Sequence, residues 1–304
     1  MNIKTGEGSS MNSTDKRWMN NQTTDSIKGI KTNNNLYING GNININSEDD
    51  SIHSNGIIEI TNGEINLSSG DDGIHADKDL TIKDGTIEIK ESYEGIEGAN
   101  ITVDDGDIKV VSSDDGFNAA GGDGSSQDRM GANNRYNSGE TYTLTINGGN
   151  IYVNANGDGL DSNCNIFING GLIFVDGPTN DGNGAIDYGD GGSYKFEMNG
   201  GTLVAVGTSG MAVSPTSGTK QVSVLINLSS SYTDEIVFGD ITYKPSKTYN
   251  SILISSDKLK INEEYTLKID NKDIQTLTIS DTVTTSGTFS RGGMDKNGGG
   301  RMHR

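Results

Sequence analysis

The sequence predicts an all-β chain: a right-handed parallel β-helix, a solenoid of coils about 22 residues long, with a small antiparallel β cap at its C-terminal end. Three observations predict it. The 304 residues are only 31% hydrophobic and carry 43 glycines but 3 prolines, which suits many short strands joined by tight turns rather than a helical globule. Turn glycines in NGG, NGE, DGT and DGD recur at Gly41, Gly63, Gly85, Gly106, Gly149, Gly171 and Gly201, in steps of 22, 22, 21, 43, 22 and 30. Independently, an acidic turn followed by glycine and an apolar residue recurs around Ile27, Ile52, Ile74, Ile96, Phe117, Leu160 and Ile186, in steps of 25, 22, 22, 21, 43 and 26.

Within one period, Leu80-Thr81-Ile82 leads into Lys83-Asp84-Gly85 and then Thr86-Ile87-Glu88-Ile89-Lys90. Apolar and polar residues alternate on both sides of the glycine, so each half reads as a strand with one face buried. The acidic phrase supplies the third element. Three short strands cannot close a core alone, whereas stacked copies can. A β-sandwich would not repeat one glycine and one isoleucine at a fixed interval, and the leucine consensus of leucine-rich repeats is absent. Handedness follows from the rule for parallel crossovers.

The remaining segments are placed by loss of this period. Residues 1–24 are polar and Asn-rich and read as a linker; 25–213 form the β-helix, with an inserted loop at 120–140 occupying the interval of 43. From 214 to 290 alternation continues without the period in QVSVLINLS, NSILISS and EYTLKID, as expected of a cap that covers an open sheet edge. Residues 291–304 are a Gly-rich tail. The single cysteine, Cys164, excludes an intramolecular disulfide and reads as a small core or corner residue. No apolar segment has the length of a membrane span, so no membrane insertion is expected, and the given chain shows no signal peptide.

A net charge of -19 repels nucleic acid and favours cations or neutral partners. Stacking would turn the acidic phrase into a column: Asp50, Asp72, Glu94, Asp115 and Asp158 before the anchor, and His53, His75, Glu97, Asn118, Asp161 and Asp187 after it. With the anchor facing the core, its neighbours are expected to face solvent. Carboxylates about 4.8 Å apart repel by about 3 kcal/mol at an effective dielectric near 20, so the column calls for a counter-charge. Calcium, which takes six to eight oxygen ligands in flexible geometry, is the expected cofactor. Asp72, Glu94, Glu97, Asp115, Asn118, Asp158, Asp161 and Asp187 are the candidate ligands. Plain turn formation accounts for Asp84, Asp104 and Asp105 but not for the two glutamates of YEGIEG. Two histidines with few soft ligands around them count against a transition metal.

Catalysis finds little support. A lyase of the pectate-lyase type needs a strong base beside the metal, typically arginine, yet the arginines stand only at 17, 129, 135, 291, 301 and 304, outside the coils. Asp114 with Asp115, or Asp158 with Asp161, could pair for hydrolysis, but an acid in every coil singles out no catalytic one.

The phrases KGIKTNNNLYINGG, DDGIHADKDLTI, YEGIEGANITV, DDGFNAAGGDG, NGDGLDSN, GPTNDGNGAIDYGDGG and GGTLVAVGTSGMA resemble the clostridial β-helix carbohydrate-binding family over residues 26–290. The resemblance implies a pectate-lyase-like fold, calcium ions along stacked acids, non-catalytic binding of polysaccharide such as cellulose or acidic polygalacturonate, and an extracellular or cell-surface location. Glu94, Glu97, Asp115, Asn118, Asp158 and Asp161 match its acidic phrases. Two departures stand out: shortened N-terminal coils, and aromatics at only 6% with one tryptophan, Trp18, which disfavours a flat stacking platform. The alternative is a structural or adhesive surface protein stiffened by calcium.

Overall fold

The turn glycines set the geometry. In the computed structural model, which describes residues 1–9, 27–120, 141–190 and 192–287, the seven glycines from Gly41 to Gly201 named above all have positive φ, between 82° and 139°. Side chains rarely tolerate that region. At Gly106 a Cβ would also stand 2.8 Å from the Gly85 carbonyl oxygen, because one turn lies directly on the next.

After this corner the chain enters an eleven-stranded sheet. Its parallel part comprises Asn2–Lys4, Asn42–Ser47, Glu64–Ser69, Thr86–Glu91, Asp107–Ser112, Asn150–Ala155, Leu172–Asp176 and Thr202–Gly207. Ile43, Ile65, Ile87, Ile108, Ile151, Ile173 and Leu203 are register partners along it, and all are buried. The step of 43 between Ile108 and Ile151 joins neighbouring strands directly; the intervening segment 121–140 lies outside the described residues.

A twelve-stranded parallel sheet carries the other two strands of each period. One row aligns Ile30, Ile52, Ile74, Ile96, Phe117, Leu160 and Ile186. The second aligns Leu36, Ile58, Leu80, Ile101, Leu144, Ile166 and Phe196. In Ile74–Ile82 and Ile96–Val103 the two rows merge into single strands. The inward side chains of both sheets form one apolar cluster. Burial of each Ile or Leu there contributes about 1.5–3 kcal/mol. Among the described residues there is no helix.

Two expectations need correction. The first anchor is Ile30 rather than Ile27, since Ile30 is the partner of Ile52 and restores the step of 22. Part of the expected linker is a strand: Asn2–Lys4 pairs with Asn42–Ser47, Ile3 opposite Ile45, while the Asn44 amide donates to Asn2 Oδ1 at 2.9 Å. Its alternation is only three residues long, too short to register as periodicity. Residues 10–24 of that linker, and the tail 291–304, lie outside the described residues.

Towards the C-terminus pairing becomes antiparallel. Tyr249–Ser256 adds to Thr202–Gly207, and Ser223–Tyr232 adds to Tyr249–Ser256. Val283–Ser286 then pairs parallel to Ser223–Tyr232. Ile236–Phe238, Ile241–Tyr243, Glu264–Ile269 and Lys272–Thr278 form a separate four-stranded antiparallel sheet over a second apolar cluster. Asp176, fully buried, ties this part to the parallel sheets. Its carboxylate accepts from Tyr243 Oη at 2.7 Å, Tyr152 Oη at 3.0 Å, the Ser246 amide at 2.8 Å and Ser246 Oγ at 2.6 Å.

Candidate metal centre

The register places Lys31, His53, His75, Glu97, Asn118, Asp161 and Asp187 side by side, one residue after the apolar anchors. The acids before the anchors occupy the adjoining corner. There the structure departs from the solvent-facing column expected above: Asp50 and Asp72 are each 1% exposed, and His53, His75, Glu94 and Asn118 are also buried. Asp115, Asp158, Asp161, Asp187 and Glu97 are partly buried. At the corner the side chain runs along the stack towards the following unit, so strand alternation does not decide its direction.

The corner acids have a backbone role. Asp50 Oδ1 accepts the Asp72 amide at 3.3 Å, Asp72 Oδ1 accepts the Glu94 amide at 3.4 Å, Asp115 Oδ1 accepts the Asp158 amide at 2.7 Å, and Asp158 Oδ1 accepts the Gly184 amide at 2.5 Å. Each carboxylate thus caps a donor of the following unit. In the reverse direction the Asp72, Glu94, Asp115 and Asp158 carbonyls accept from Ser51, Gly73, Gly95 and Gly116. Asp84 and Asp105 are simple turn formers, each accepting the next glycine's amide, at 2.7 and 2.8 Å.

Two electrostatically different groups share the corner. At its N-terminal end cations meet the acids. Lys28 Nζ reaches Asp49 at 2.9 Å and also bonds Asp50; sequence reading missed it because no other unit carries lysine there. His53 Nδ1 lies 2.7 Å from Asp50 Oδ2, and His75 Nδ1 lies 3.1 Å from both Asp72 Oδ2 and Glu97 Oε2. Burial would raise the Asp50 pKa, but His53, Lys28 and His75 hold it below the usual carboxylate range. Burial works against a charged His75, yet Asp72, Asp50 and Asp77 outweigh it and raise its pKa. Asp72 and Glu97 are therefore engaged with His75.

Further along, acids crowd one another. Carboxylate oxygens of Asp158, Asp161 and Asp187 lie within 4.8 Å of one another. Burial, then Asp161, Glu94, Asp114 and Asp158, push Asp115 well above the ordinary carboxyl pKa. Burial and then Asp187 raise Asp158 to about 7, against the opposing effect of the Gly184 amide. Asn118 Nδ2 donates to Glu94 Oε2 at 2.8 Å, while the buried Asn118 Oδ1 accepts no hydrogen bond. Carboxylate oxygens together with an amide oxygen of this kind form a hard-cation donor set, and the residues present fit calcium.

A shallow groove crosses the outer face of the eleven-stranded sheet, lined by residues including Glu88, Lys109, Tyr152, Leu172 and Phe174, and by none of the corner acids. A family model described as "Carbohydrate-binding domain-containing protein" matches residues 1–73, under half of the chain and within the part that holds the first corner acids. Comparison with curated proteins and with solved structures gave no match.

Proposed function

We propose that this chain is a non-catalytic, extracellular polysaccharide-binding domain whose two parallel strand systems are successive coils of a right-handed β-helix. Calcium held by the crowded acids bridges it to an acidic glycan such as polygalacturonate. The observation that carries the reading is the convergence of Asp158, Asp161 and Asp187 beside Asp115 and the buried Asn118 Oδ1. These groups would hold the ion. Calcium supplies positive charge at a face where a chain of net charge -19 would otherwise repel uronate. Similarity of residues 1–73 to a carbohydrate-binding domain supports a sugar partner. Asp72 and Glu97, engaged with His75, are the weaker members of the ligand set proposed from sequence.

The test is calorimetric titration of metal-stripped protein with calcium, then with polygalacturonate. The proposal requires a glycan signal that appears only after calcium. Calcium binding with no glycan signal points instead to a metal-stiffened structural or adhesive protein. Retention that persists without calcium in folded protein moves the sugar to a calcium-independent surface, of which the groove beside Tyr152 is the first candidate.

A further inference from the structure

The outer face of the eleven-stranded sheet carries side chains that the calcium reading does not use. Residues two positions apart along a strand share a face, and register partners stack across strands. One outward row runs Glu64, Thr86, Asp107, Asn150 and Leu172. The other runs Asn66, Glu88, Lys109, Tyr152 and Phe174. Between them lies a groove of about 480 Å³ with Ile87, Ile108 and Ile151 along its floor, within the size range of ligand sites. Five strands spaced about 4.8 Å apart make it about 19 Å long, and two residues of rise make it about 6.6 Å wide, room for one extended chain. One end is apolar. Leu172 is 40% exposed in a row that is otherwise polar, the Phe174 ring stacks on Tyr243 at 4.5 Å, and Tyr152 Oη is fixed by Asp176 and Ser246 at 3.0 and 3.1 Å. The remainder is hydrogen-bonding: Glu64 accepts from the Asn42 amide at 2.7 Å, Asp107 from the Asn150 amide at 2.7 Å, and Glu88 from Lys109 at 3.0 Å. Each bond holds a wall residue in place and leaves acceptor capacity, since a carboxylate accepts about four.

Given the polysaccharide-binding reading above, on which this rests, we propose that the groove is a second glycan site, independent of calcium and selective for a single uncharged polysaccharide chain lying along the stack. Sugar rings offer apolar faces edged by hydroxyls. The groove offers the complement: apolar surface at Tyr152, Leu172 and Phe174, acceptors at Glu64, Glu88 and Asp107, and a donor at Lys109. Charge decides between glycans. Three carboxylates against one lysine repel a uronate chain, and the acids that would hold a bridging calcium stand at the corner instead. Lys109, midway along its row, disfavours a cationic chain in turn. Residues 1–73, which the carbohydrate-binding model matches, include Glu64 and Asn66 of this groove but none of Asp115, Asp158, Asp161 and Asp187. The strand register fixes both walls before any ligand arrives, so binding orders little of the protein.

The test is calorimetry on the full chain in EDTA, titrated in turn with cellohexaose, xylohexaose and mannohexaose, and with hexagalacturonate as the charged control. The expected result is binding of at least one uncharged hexasaccharide and none of hexagalacturonate. Leu172→Asp at one end and Glu64→Gln at the other should each weaken that binding about tenfold. Both side chains are exposed, so the fold is kept, and the calcium-dependent polygalacturonate signal should be unchanged in both variants. Silence from all three uncharged hexasaccharides overturns the groove, as does binding indifferent to both substitutions or equal binding of hexagalacturonate. If polygalacturonate with calcium still binds, only the groove has failed; if it too is silent, the polysaccharide reading falls with it. Self-association in sedimentation that Leu172→Asp abolishes, with no glycan signal, also overturns the groove and gives this face to a second copy of the chain.

Discussion

If the crowded acids hold calcium, binding must expel protons. Asp158 has its pKa raised to about 7 by burial and Asp187, so near pH 7 about half of the metal-free molecules carry a proton there. Calcium needs the carboxylate. The ionised fraction falls from about nine-tenths at pH 8 to about one-tenth at pH 6, so Asp158 alone should weaken calcium about tenfold across that range, about 1.4 kcal/mol. Asp115, also raised, steepens the fall. A carboxyl at its ordinary 3.8 would leave affinity unchanged between the same limits. Calorimetry at pH 6, 7 and 8 in two buffers of different ionisation enthalpy reads both the affinity and the protons released, about 0.5 per ion from Asp158 at pH 7. Equal affinity at pH 6 and 8 with no proton release would refute the argument.

The same group sets a stability trend of definite sign. Its folded pKa lies above the unfolded value, so the folded chain binds the proton more tightly and the metal-free protein loses stability as pH rises from about 4 to 7. The full gap corresponds to about 4 kcal/mol at 1.36 kcal/mol per decade, and partial exposure screens it to about 2. Saturating calcium should flatten that trend.

Two further outcomes test the scaffold. Asp176→Ala strands the Tyr243, Tyr152 and Ser246 donors and should cost about 3–5 kcal/mol in urea unfolding; a loss under 1 kcal/mol would mean that Asp176 does not hold the antiparallel part in place. Gly106→Ala combines φ of 118° with a Cβ 2.8 Å from the Gly85 oxygen, so it should destabilise by more than about 1 kcal/mol, and an unchanged melting temperature would show that the corner relaxes freely.

The strand register was legible because three kinds of residue repeat together: the corner glycine, the apolar anchor and the flanking acid. Ile74, Ile96, Phe117 and Leu160 pair as their spacing implies. Alignment along the stack was therefore readable, but direction at the corner was not. Alternation tells inside from outside only within a strand, and Asp50 and Asp72 sit where the chain turns between two sheets, so their burial had no periodic signature. Lys28 was illegible for another reason: it occurs once in its row and matters through a neighbour in another unit.

The carboxylate that caps the amide of the following unit has a consequence for how such a chain can lengthen. Asp50 serves Asp72, Asp72 serves Glu94, Asp115 serves Asp158 and Asp158 serves Gly184, so each of these four acids carries the acceptor that the following unit requires. Duplication of a whole period inserts a donor and an acceptor together and leaves no bond unmade. Whole periods can therefore be added without leaving a donor unmet, and longer steps are accommodated where the chain returns in register, as Ile108 and Ile151 do.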